Sequence, residues 1–255
     1  MNKIEIKILN PDVIQETEKL MVVSARLTQR GHNIKNMDDF IKIYDKPYSD
    51  KLVTELNGLP HPTLQKLNKL NVAICGISRR FLAQITRHQD DTKFVSTSLQ
   101  YSNYSDGADF VVPYELLDNK ELRDKYITSC KANMNLYQEL VSKGIPHDEA
   151  AYLCPQGLRG ILIISATPFQ WKHIISQRVC NRNTKETQYV LLRIWEELYK
   201  LHKDLYASNI CGPFCMKGLC KEGKLCCGKP FDKLLNPSEI LKQNFSKLYK
   251  GGNNV

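Results

Sequence analysis

The chain has 255 residues, of which 42% are hydrophobic and 25% are charged. This is the balance of a soluble globular protein, and it excludes a chain that is disordered throughout. No apolar run reaches the roughly 18 residues of a membrane-spanning helix, and the N-terminus lacks the apolar segment of a signal peptide. We therefore expect a cytoplasmic protein without a membrane partner.

The formal net charge of +9 predicts anionic partners: phosphorylated small molecules, nucleic acid or an anionic membrane surface. The lysines are spread along the chain, and no zinc-finger, RNP-type or helix-turn-helix pattern occurs, so we do not expect nucleic acid as the partner. The nine cysteines are an odd count. In a chain without a secretory signal they favour reduced thiols or metal ligands over a disulfide framework.

The first part of the chain predicts a strand, two helices and a second strand. Residues 3–9 alternate apolar and charged side chains, as in a half-buried strand. Asn10 then stands where a helix cap is expected, Pro11 fits the first helical position, and the helix ends near Gly31. A polar connection leads to a second helix over residues 49–56, and the apolar run 71–77 predicts a buried strand.

The stretch 76–104 carries the densest set of polar groups suited to an anionic ligand. Ser78 predicts the N-cap of a short helix, on which Arg80, Gln84 and Arg87 share one face with His88 adjacent. Arginine presents a fork of donors that suits a phosphate or the edge of a base. The alternative is a solvated helix face followed by a polar loop. The next polar side chains, in a strand or an extended loop, are Ser96, Ser98, Gln100 and Tyr101.

The second half of the chain is predicted to be mainly helical. We expect helices over residues 119–142, 148–153, 168–178 and 184–206. The run 158–164 is either a strand or the start of a buried helix, because periodicity does not decide for a short apolar run.

The segment 208–255 is a cysteine-rich tail with a predicted helix over residues 236–250. Dense thiolates of this kind are able to hold a structural zinc ion or an iron–sulfur cluster, although the spacings differ from the common Cys-x2-Cys knuckle. The alternative is reduced thiols or an occasional disulfide. The candidate metal ligands are Cys211, Cys215, Cys220, Cys226 and Cys227.

Three segments resemble the flavin-dependent thymidylate synthase family. Gln84-x-x-Arg87-His88 followed by Ser98-x-Gln100-Tyr101 is similar to the family signature, and the upstream sequence GLPHPTLQKLNKLNVAICGISRR is similar to its histidine-containing turn, core strand and helix entry. Residues 182–188 resemble a segment in which an arginine precedes a glutamine by six positions. The resemblance covers residues 1–206. Gln89 and Gln100 stand where the family has arginines.

The resemblance implies an α+β fold, in which a small mixed or antiparallel sheet is flanked by long helices over residues 1–207. It implies a homotetramer with active sites shared between subunits. The implied enzyme uses FAD, with NADPH and methylenetetrahydrofolate as co-substrates, to transfer a one-carbon unit to C5 of a pyrimidine deoxynucleotide, converting dUMP to dTMP.

The resemblance also implies roles for individual residues. Arg182 is the catalytic candidate, since a fixed positive charge against the pyrimidine ring would stabilise the negative charge that develops there. The flavin-binding candidates are His61, Arg87, His88, Gln89 and Gln188. The nucleotide-binding candidates are Gln84, Arg87, Ser96, Ser98, Gln100, Tyr101 and Arg182.

Each of these roles has a structural alternative. The alternative for Arg182 is an arginine that caps the preceding helix, for His88 a buried structural histidine, and for His61 a turn residue beside Pro62. For the protein as a whole, the first alternative is a related C5 methylase or hydroxymethylase for another pyrimidine nucleotide, motivated by Gln89 and Gln100. The second is a non-catalytic nucleotide- or RNA-binding relative with the same fold.

Overall fold

A computed structural model describes residues 4–218, 220–231 and 233–249. Within them a four-stranded antiparallel sheet is surrounded by helices, which confirms the α+β prediction. Lys3 of the predicted first strand and residues 250–255 of the predicted tail lie outside the described residues. The strands are β1 (Glu5–Ile8), β2 (Leu70–Ser78), β3 (Thr92–Ser96) and β4 (Arg159–Ala166). The helices are α1 (Val13–Arg30), α2 (Met37–Tyr44), α3 (Asp50–Gly58), α4 (Arg79–Ile85), α5 (Lys120–Ser142), α6 (His147–Ala150), α7 (Pro168–Arg178), α8 (Lys185–Leu201) and α9 (Pro237–Asn244).

The sheet has the strand order β1-β2-β4-β3, so the two long strands β2 and β4 are central. The ambiguous run 158–164 is therefore a strand, paired along its length with β2. A bulge at Gly76, whose φ is +84°, shifts the register between Cys75 and Ile77. Because Gly76 tolerates this backbone conformation, β2 bends and passes directly into α4 at Ser78.

One face of the sheet forms the main core. Leu162 and Ile164 of β4 point to this face, and it packs against helices α7 and α8. The indole N–H of Trp171 donates to the carbonyl of Leu70 across 3.1 Å, and that of Trp195 donates to the carbonyl of Tyr206 across 2.9 Å. The two largest core side chains are thus buried with their polar atoms satisfied.

The opposite face of the sheet is open and carries an apolar patch on β3 and β4. Val95 of β3 is paired in register with Ile163 of β4, so the two side chains lie on the same face, together with Ile161. Val95 is 67% exposed and Ile161 is 45% exposed. Apolar side chains on a strand face are normally covered, so this face has the character of an interface.

Two local predictions in the N-terminal part were wrong. The side chain of Asn10 does not cap α1; its amide donates to the carbonyl of Lys69, and its oxygen accepts from the N–H of Asn71 across 2.8 Å. This tertiary pair outcompetes the local cap. The polar connection before residue 49 contains α2, whose start is capped by Asn36. Asn36 followed by acidic residues is the signal that was missed.

The tail packs back on the core through α9. Ile240, Leu241 and Phe245 are at most 1% exposed and belong to the same hydrophobic cluster as the sheet. The buried carboxylate of Glu196 on α8 accepts hydrogen bonds from the hydroxyls of Ser238 and Tyr249. None of the described helices is long and apolar enough to span a bilayer.

Candidate active site

Ser78, the N-cap of helix α4, both caps the helix and contacts Glu186 of helix α8. The hydroxyl of Ser78 accepts from the N–H of Phe81 across 3.0 Å, as predicted, and donates to the carboxylate of Glu186 across 2.5 Å. Phe81 and Ile85 fill the core beneath the helix. The sequence predicted that Arg87 shares the helix face of Gln84, but the helix ends at Ile85, so Arg87 and His88 lie beyond it. Arg87 is exposed and His88 is buried.

Arg178, the last residue of α7, organises the segment after α4. Its Nε donates to Nε2 of His88 across 2.7 Å, and its Nη2 donates to the carbonyl of Gln84 across 3.0 Å. Its Nη1 donates to the side-chain oxygen of Asn183 across 3.3 Å. Because a guanidinium only donates, Nε2 of His88 must accept, and the proton of the neutral ring is on Nδ1.

The environment of His88 opposes its protonation. Burial, followed by the charges of Arg178 and His173, lowers the pKa of His88 from 6.5 to about 4. The rings of His88 and His173 meet edge to face with centroids 6.1 Å apart. His88 is therefore a neutral imidazole at pH 7, offering a donor at Nδ1.

The first turn of α8 binds Gln84 and presents Gln188. Oε1 of Gln84 accepts from the hydroxyls of Thr187 at 2.6 Å and Thr184 at 3.3 Å, and Thr184 also caps α8. The side-chain amide of Gln188 donates to the carbonyl of Asn183 across 2.7 Å. Its Oε1 is buried and has no hydrogen-bond partner within the described chain. An acceptor left in this state costs about 1–3 kcal/mol, so a donor from a ligand or from water fits there.

Arg182 lies in the connection between α7 and α8, on the wall of a cavity of about 440 Å³. Its Nη1 forms an ion pair with Glu222 of the tail at 3.0 Å, and its side chain is 45% exposed. Arg178 and Asn183 line the same cavity. Arg182 is thus not a helix-capping arginine; its charge faces a cavity that the tail covers.

A second, more apolar cavity of about 360 Å³ lies against the other side of α8's first turn. Glu186 lines it, and its carboxylate accepts from the N–H of Ser78 across 2.8 Å as well as from the hydroxyl. Burial raises the pKa of Glu186, and the hydrogen bonds from Ser78 partly oppose that rise. Tyr126 and Gly157 form the opposite wall, where a Cβ at Gly157 would meet the tyrosine hydroxyl at 1.9 Å.

The structure does not bring all the predicted residues together in one chain. The residues that meet at the connection between α7 and α8 are Gln84, His88, Arg182 and Gln188. The second group, Ser96, Ser98, Gln100 and Tyr101, lies at the opposite end of β3. No hydrogen bond within the described chain joins these two groups.

Most members of the second group are exposed, and their bonds are local. Oγ of Ser98 accepts from the N–H of Gln100 across 3.2 Å, and the carbonyl of Gln100 is 2.8 Å from Nε2 of His147. Tyr101 is 80% exposed. The guanidinium of Arg79 donates to the carbonyl of Thr97 across 3.3 Å and holds the end of β3 against α4.

His61 and Gln89 stand apart from both groups. His61 is exposed, and its carbonyl accepts from the N–H of Leu64 across 3.3 Å, as expected for a turn residue. Gln89 is also exposed, and its carbonyl accepts from the N–H of Thr92 across 3.3 Å.

Sequence reasoning assigned no role to Arg178 or Glu186. Arg178 ends a predicted helix and resembles any basic residue in a last turn, and Glu186 resembles any acidic residue in a first turn. Their partners, His88 and Ser78, are 90 and 108 positions away in the sequence. No periodic pattern signals contacts over such separations.

Comparison with known proteins decides the family. Residues 12–202 match the family model described as thymidylate synthase complementing protein. The chain belongs to this family. The predicted resemblance and the prediction of an enzyme are thereby confirmed, whereas the cysteine-rich tail lies outside the matched region.

Two relatives of this family member are flavin-dependent thymidylate synthases. That of Geobacter sulfurreducens is 25% identical over 221 residues, which cover 84% of this chain and 90% of the relative. That of Thermococcus onnurineus is 27% identical over 174 residues, which cover 66% of this chain and 71% of the relative.

Two solved structures share the fold of this family member. The first is a UMP/dUMP methylase, PolB, of Streptomyces cacaoi bound to 5-bromo-dUMP, with a TM-score of 0.62 and 13% identity over 81% of this chain and 94% of the methylase. The second is thymidylate synthase X of Helicobacter pylori with FAD and dUMP, with a TM-score of 0.59 and 15% identity over 80% of this chain and 98% of the synthase.

Proposed function

We propose that this protein catalyses flavin-dependent transfer of a one-carbon unit to C5 of a pyrimidine deoxynucleotide, with dUMP to dTMP as the first choice. The observation that carries the proposal is the single network that joins Gln84, His88 and Gln188 to the connection bearing Arg182. These are four of the residues for which the family resemblance implies flavin or nucleotide contacts. Methylenetetrahydrofolate as donor and NADPH as reductant belong to the same proposal, as does a cytoplasmic location.

The polar groups of the network fit a flavin. Gln188 Oε1 is a buried acceptor that lacks a donor within the described chain, and flavin rings and ribityl chains carry donors. The neutral His88 offers an Nδ1–H donor, and exposed Arg87 beside it offers a charge for a pyrophosphate. When bound, the flavin supplies the reducing equivalents of the reaction, and the protein supplies binding and orientation.

Arg182 is the residue that we assign to the pyrimidine. Its guanidinium is always charged and lines the 440 Å³ cavity, so it is able to stabilise negative charge that develops on the ring during attack from C5. Arg178 holds the neighbouring backbone of Gln84 and the side chain of Asn183 in place. It is a positioning residue in this proposal, because each of its three side-chain nitrogens donates a hydrogen bond within the protein.

We also propose that the complete site forms between subunits of a homotetramer. The second group, Ser96, Ser98, Gln100 and Tyr101, lies at the far end of β3 from the residues at the connection between α7 and α8. We infer that one chain supplies two half-sites. The open sheet face with Val95, Ile161 and Ile163 supplies apolar surface that a second copy would cover. His61 and Gln89 would reach a flavin only in such an assembly.

A second candidate is a C5 methylase for another pyrimidine nucleotide. It is favoured by Gln89 and Gln100, which stand where the resemblance expects arginines, because loss of fixed charges alters the recognition of phosphate and base. The third candidate is a non-catalytic nucleotide- or RNA-binding protein.

Turnover with matched substrates tests the proposal. Purified protein is expected to show flavin absorbance and to release tritium from 5-tritiated dUMP when NADPH and methylenetetrahydrofolate are added. Arg182→Ala is expected to retain flavin and lose turnover, whereas Arg30→Ala, on the far helix α1, retains both. Release from 5-tritiated UMP or dCMP but not from dUMP would favour the second candidate. Bound nucleotide without release from any substrate would favour the third.

Assembly is tested separately by solution mass. Val95→Glu places a charge on the open sheet face and is expected to lower the oligomer mass in sedimentation, whereas Leu122→Glu, on the exposed side of α5, leaves it unchanged. A tetramer that persists in Val95→Glu would assign the contact to another face. A monomeric wild-type protein would remove the shared-site proposal altogether.

A further inference from the structure

Within the described part of the chain, no group of three or more His, Cys, Asp or Glu side chains is placed to hold a metal ion, in the cysteine-rich tail or elsewhere. Four of the five candidate ligands line the 440 Å³ cavity beside Arg182, together with Cys180; they are Cys215, Cys220, Cys226 and Cys227. The fifth, Cys211, is buried in the main core beside apolar side chains. The groups best placed for a further ligand lie instead at the second cavity, on the other side of α8.

The second cavity, of about 360 Å³, has walls that are tied to one another by hydrogen bonds. The N–H of Arg80 donates to the carbonyl of Gln156 across 3.0 Å. The N–H of Val111 donates to the carbonyl of Gly157 across 2.8 Å, and its own carbonyl accepts from the hydroxyl of Tyr126 across 3.0 Å. Because these contacts join α4 and α5 to the segments between them, the cavity is formed before a ligand arrives. Its volume lies within the roughly 300–1,000 Å³ of small-molecule sites.

Most of the cavity wall is apolar. Val111 and Tyr114 are buried side chains of this wall, and Pro113 and Pro155 complete it. The ring of Tyr114 is held in place by an edge-to-face contact with Phe245 of α9's C-terminal end, with centroids 5.2 Å apart. Such a wall suits the faces of a flat ring system.

Glu186 supplies a carboxylate to this apolar cavity. One of its oxygens accepts from the N–H of Ser78 across 2.8 Å, and the other accepts from the hydroxyl of Ser78 across 2.5 Å. An ionised carboxylate has about four acceptor positions, so each oxygen keeps one for a further donor. Among the described residues, no Lys, Arg or His side chain pairs with Glu186. The carboxylate is therefore available to a ligand that presents two N–H donors side by side.

Two cations line the same cavity, and neither has a carboxylate partner within the described chain. Arg80 is exposed, and its guanidinium makes no hydrogen bond to the described residues. Nζ of Lys185 lies 5.7 Å from the ring centroid of Phe245. Glu115, an exposed carboxylate on the cavity wall, pairs with neither cation. Free cationic donors of this kind suit a phosphate or carboxylate arm of a ligand.

We propose that the second cavity binds a bicyclic ring whose edge carries a ring N–H beside an amino group, with Glu186 accepting from both donors. The apolar walls hold the faces of the ring, and Arg80 and Lys185 bind an anionic arm. Two kinds of metabolite share this chemistry: guanine nucleotides, whose arm is a phosphate, and pterin compounds such as folates, whose arm is a carboxylate. The inference goes beyond the proposed function, since binding at this cavity requires neither flavin nor dUMP.

Ring analogues test the recognised edge without changing the protein. Equilibrium binding to the full-length protein should be saturable for guanosine and for pterin, and each should displace the other. Inosine and lumazine lack the amino group and should bind about tenfold or more weakly, which is the effect of losing one hydrogen bond to a charged group. No saturable binding of guanosine and pterin, or inosine binding as tightly as guanosine, would overturn the proposal.

The anionic arm is tested with GMP and folic acid. Both should bind more tightly than guanosine and pterin, and the tighter of the two identifies the source of the ligand. Arg80→Ala should weaken GMP and folic acid and leave guanosine and pterin unchanged. Lys131→Ala, at an exposed position of α5, is the matched control and should change none of the four. An arm that adds no affinity, or an Arg80→Ala variant that binds all four ligands as the wild type does, would overturn the assigned cations.

Glu186→Gln tests the carboxylate, because the amide replaces one acceptor by a donor. It should weaken guanosine and pterin by about tenfold or more. Arg182→Ala should retain guanosine binding, since Arg182 lines the other cavity. Unchanged binding in a folded Glu186→Gln, or loss of guanosine binding in Arg182→Ala, would contradict the site; if Glu186→Gln does not fold, the inosine and Arg80→Ala measurements decide. No measurement uses turnover, so failure of the proposed enzyme activity leaves these outcomes unaffected.

Discussion

Arg178 donates from Nε to Nε2 of His88 across 2.7 Å and thereby fixes which ring nitrogen of His88 carries the proton. The same guanidinium reaches the carbonyl of Gln84 and the side chain of Asn183, so one residue joins α4 to the connection that bears Arg182. A neutral histidine held in this way is a defined hydrogen-bond donor at pH 7. Because the folded protein disfavours protonation of this ring, the free energy of unfolding should depend on pH.

The free energy of unfolding should therefore fall as the pH drops from 6.5 towards 4. The pKa of His88 is about 4 in the folded protein and 6.5 in the unfolded chain, so the unfolded chain binds more protons across this window. One full proton corresponds to a slope of about 1.4 kcal/mol per pH unit, which is the upper limit for this residue. His88→Gln should flatten the profile measured by chemical denaturation at several pH values, whereas His32→Gln, at an exposed position, should not. An unchanged profile in His88→Gln would contradict the assigned environment.

Gln84→Ala should destabilise the protein by about 1–3 kcal/mol, because it removes the side-chain oxygen that accepts from the hydroxyls of both Thr187 and Thr184. Gln89→Ala is the matched control: its side chain is exposed, and its effect should stay within about 0.5 kcal/mol. Urea denaturation of the two variants measures the difference. Equal stabilities would show that the Gln84 side chain is not bound to α8 in solution.

Glu222→Gln should change stability by less than about 1 kcal/mol, since its ion pair with Arg182 is half exposed. Its effect should appear in kinetics: without the competing carboxylate, Arg182 is free for the nucleotide, and KM for the nucleotide should fall. Glu121→Gln, which breaks the exposed ion pair with Lys125, should also change stability by less than about 1 kcal/mol and should leave KM for the nucleotide unchanged. A nucleotide KM that does not move in Glu222→Gln would argue against competition at Arg182.

Glu186→Gln should remove a loss of stability that occurs as the pH rises above the ordinary carboxyl pKa. Burial raises the pKa of Glu186 above 4.5, so the folded protein holds this proton more tightly than the unfolded chain does. The resulting contribution is present at low pH and is lost as the pH rises through the folded pKa. Denaturation should show that the stability of Glu186→Gln relative to the wild type is higher at pH 8 than at pH 5, whereas Glu55→Gln, which alters an exposed residue of α3, should keep the same relative stability at both pH values. A relative stability of Glu186→Gln that does not change between pH 5 and pH 8 would contradict the raised pKa of Glu186.

Local sequence patterns determined most of the helices and strands because the responsible contacts are local. Ser78 and Thr184 cap the helices that follow them, as expected from side chains that bond an N–H three residues later. Asn10 shows the limit of this reasoning. Its side chain has the same local chemistry but bonds the backbone at residues 69 and 71, and only the packing of β1 against β2 makes that partner available.

The sequence by itself determined the family and predicted site residues, since the motifs around Gln84, His88, Arg182 and Gln188 lie in short contiguous segments. The tertiary structure alone decided the rest. It placed Arg178 on His88 and Glu186 on Ser78, and it brought Cys180 to the thiols of the tail while burying Cys211 in the core. The physical reason is the same in each case: the partner that satisfies a buried charge, hydroxyl or thiol is chosen by which elements pack together, and packing joins residues that are far apart in the chain.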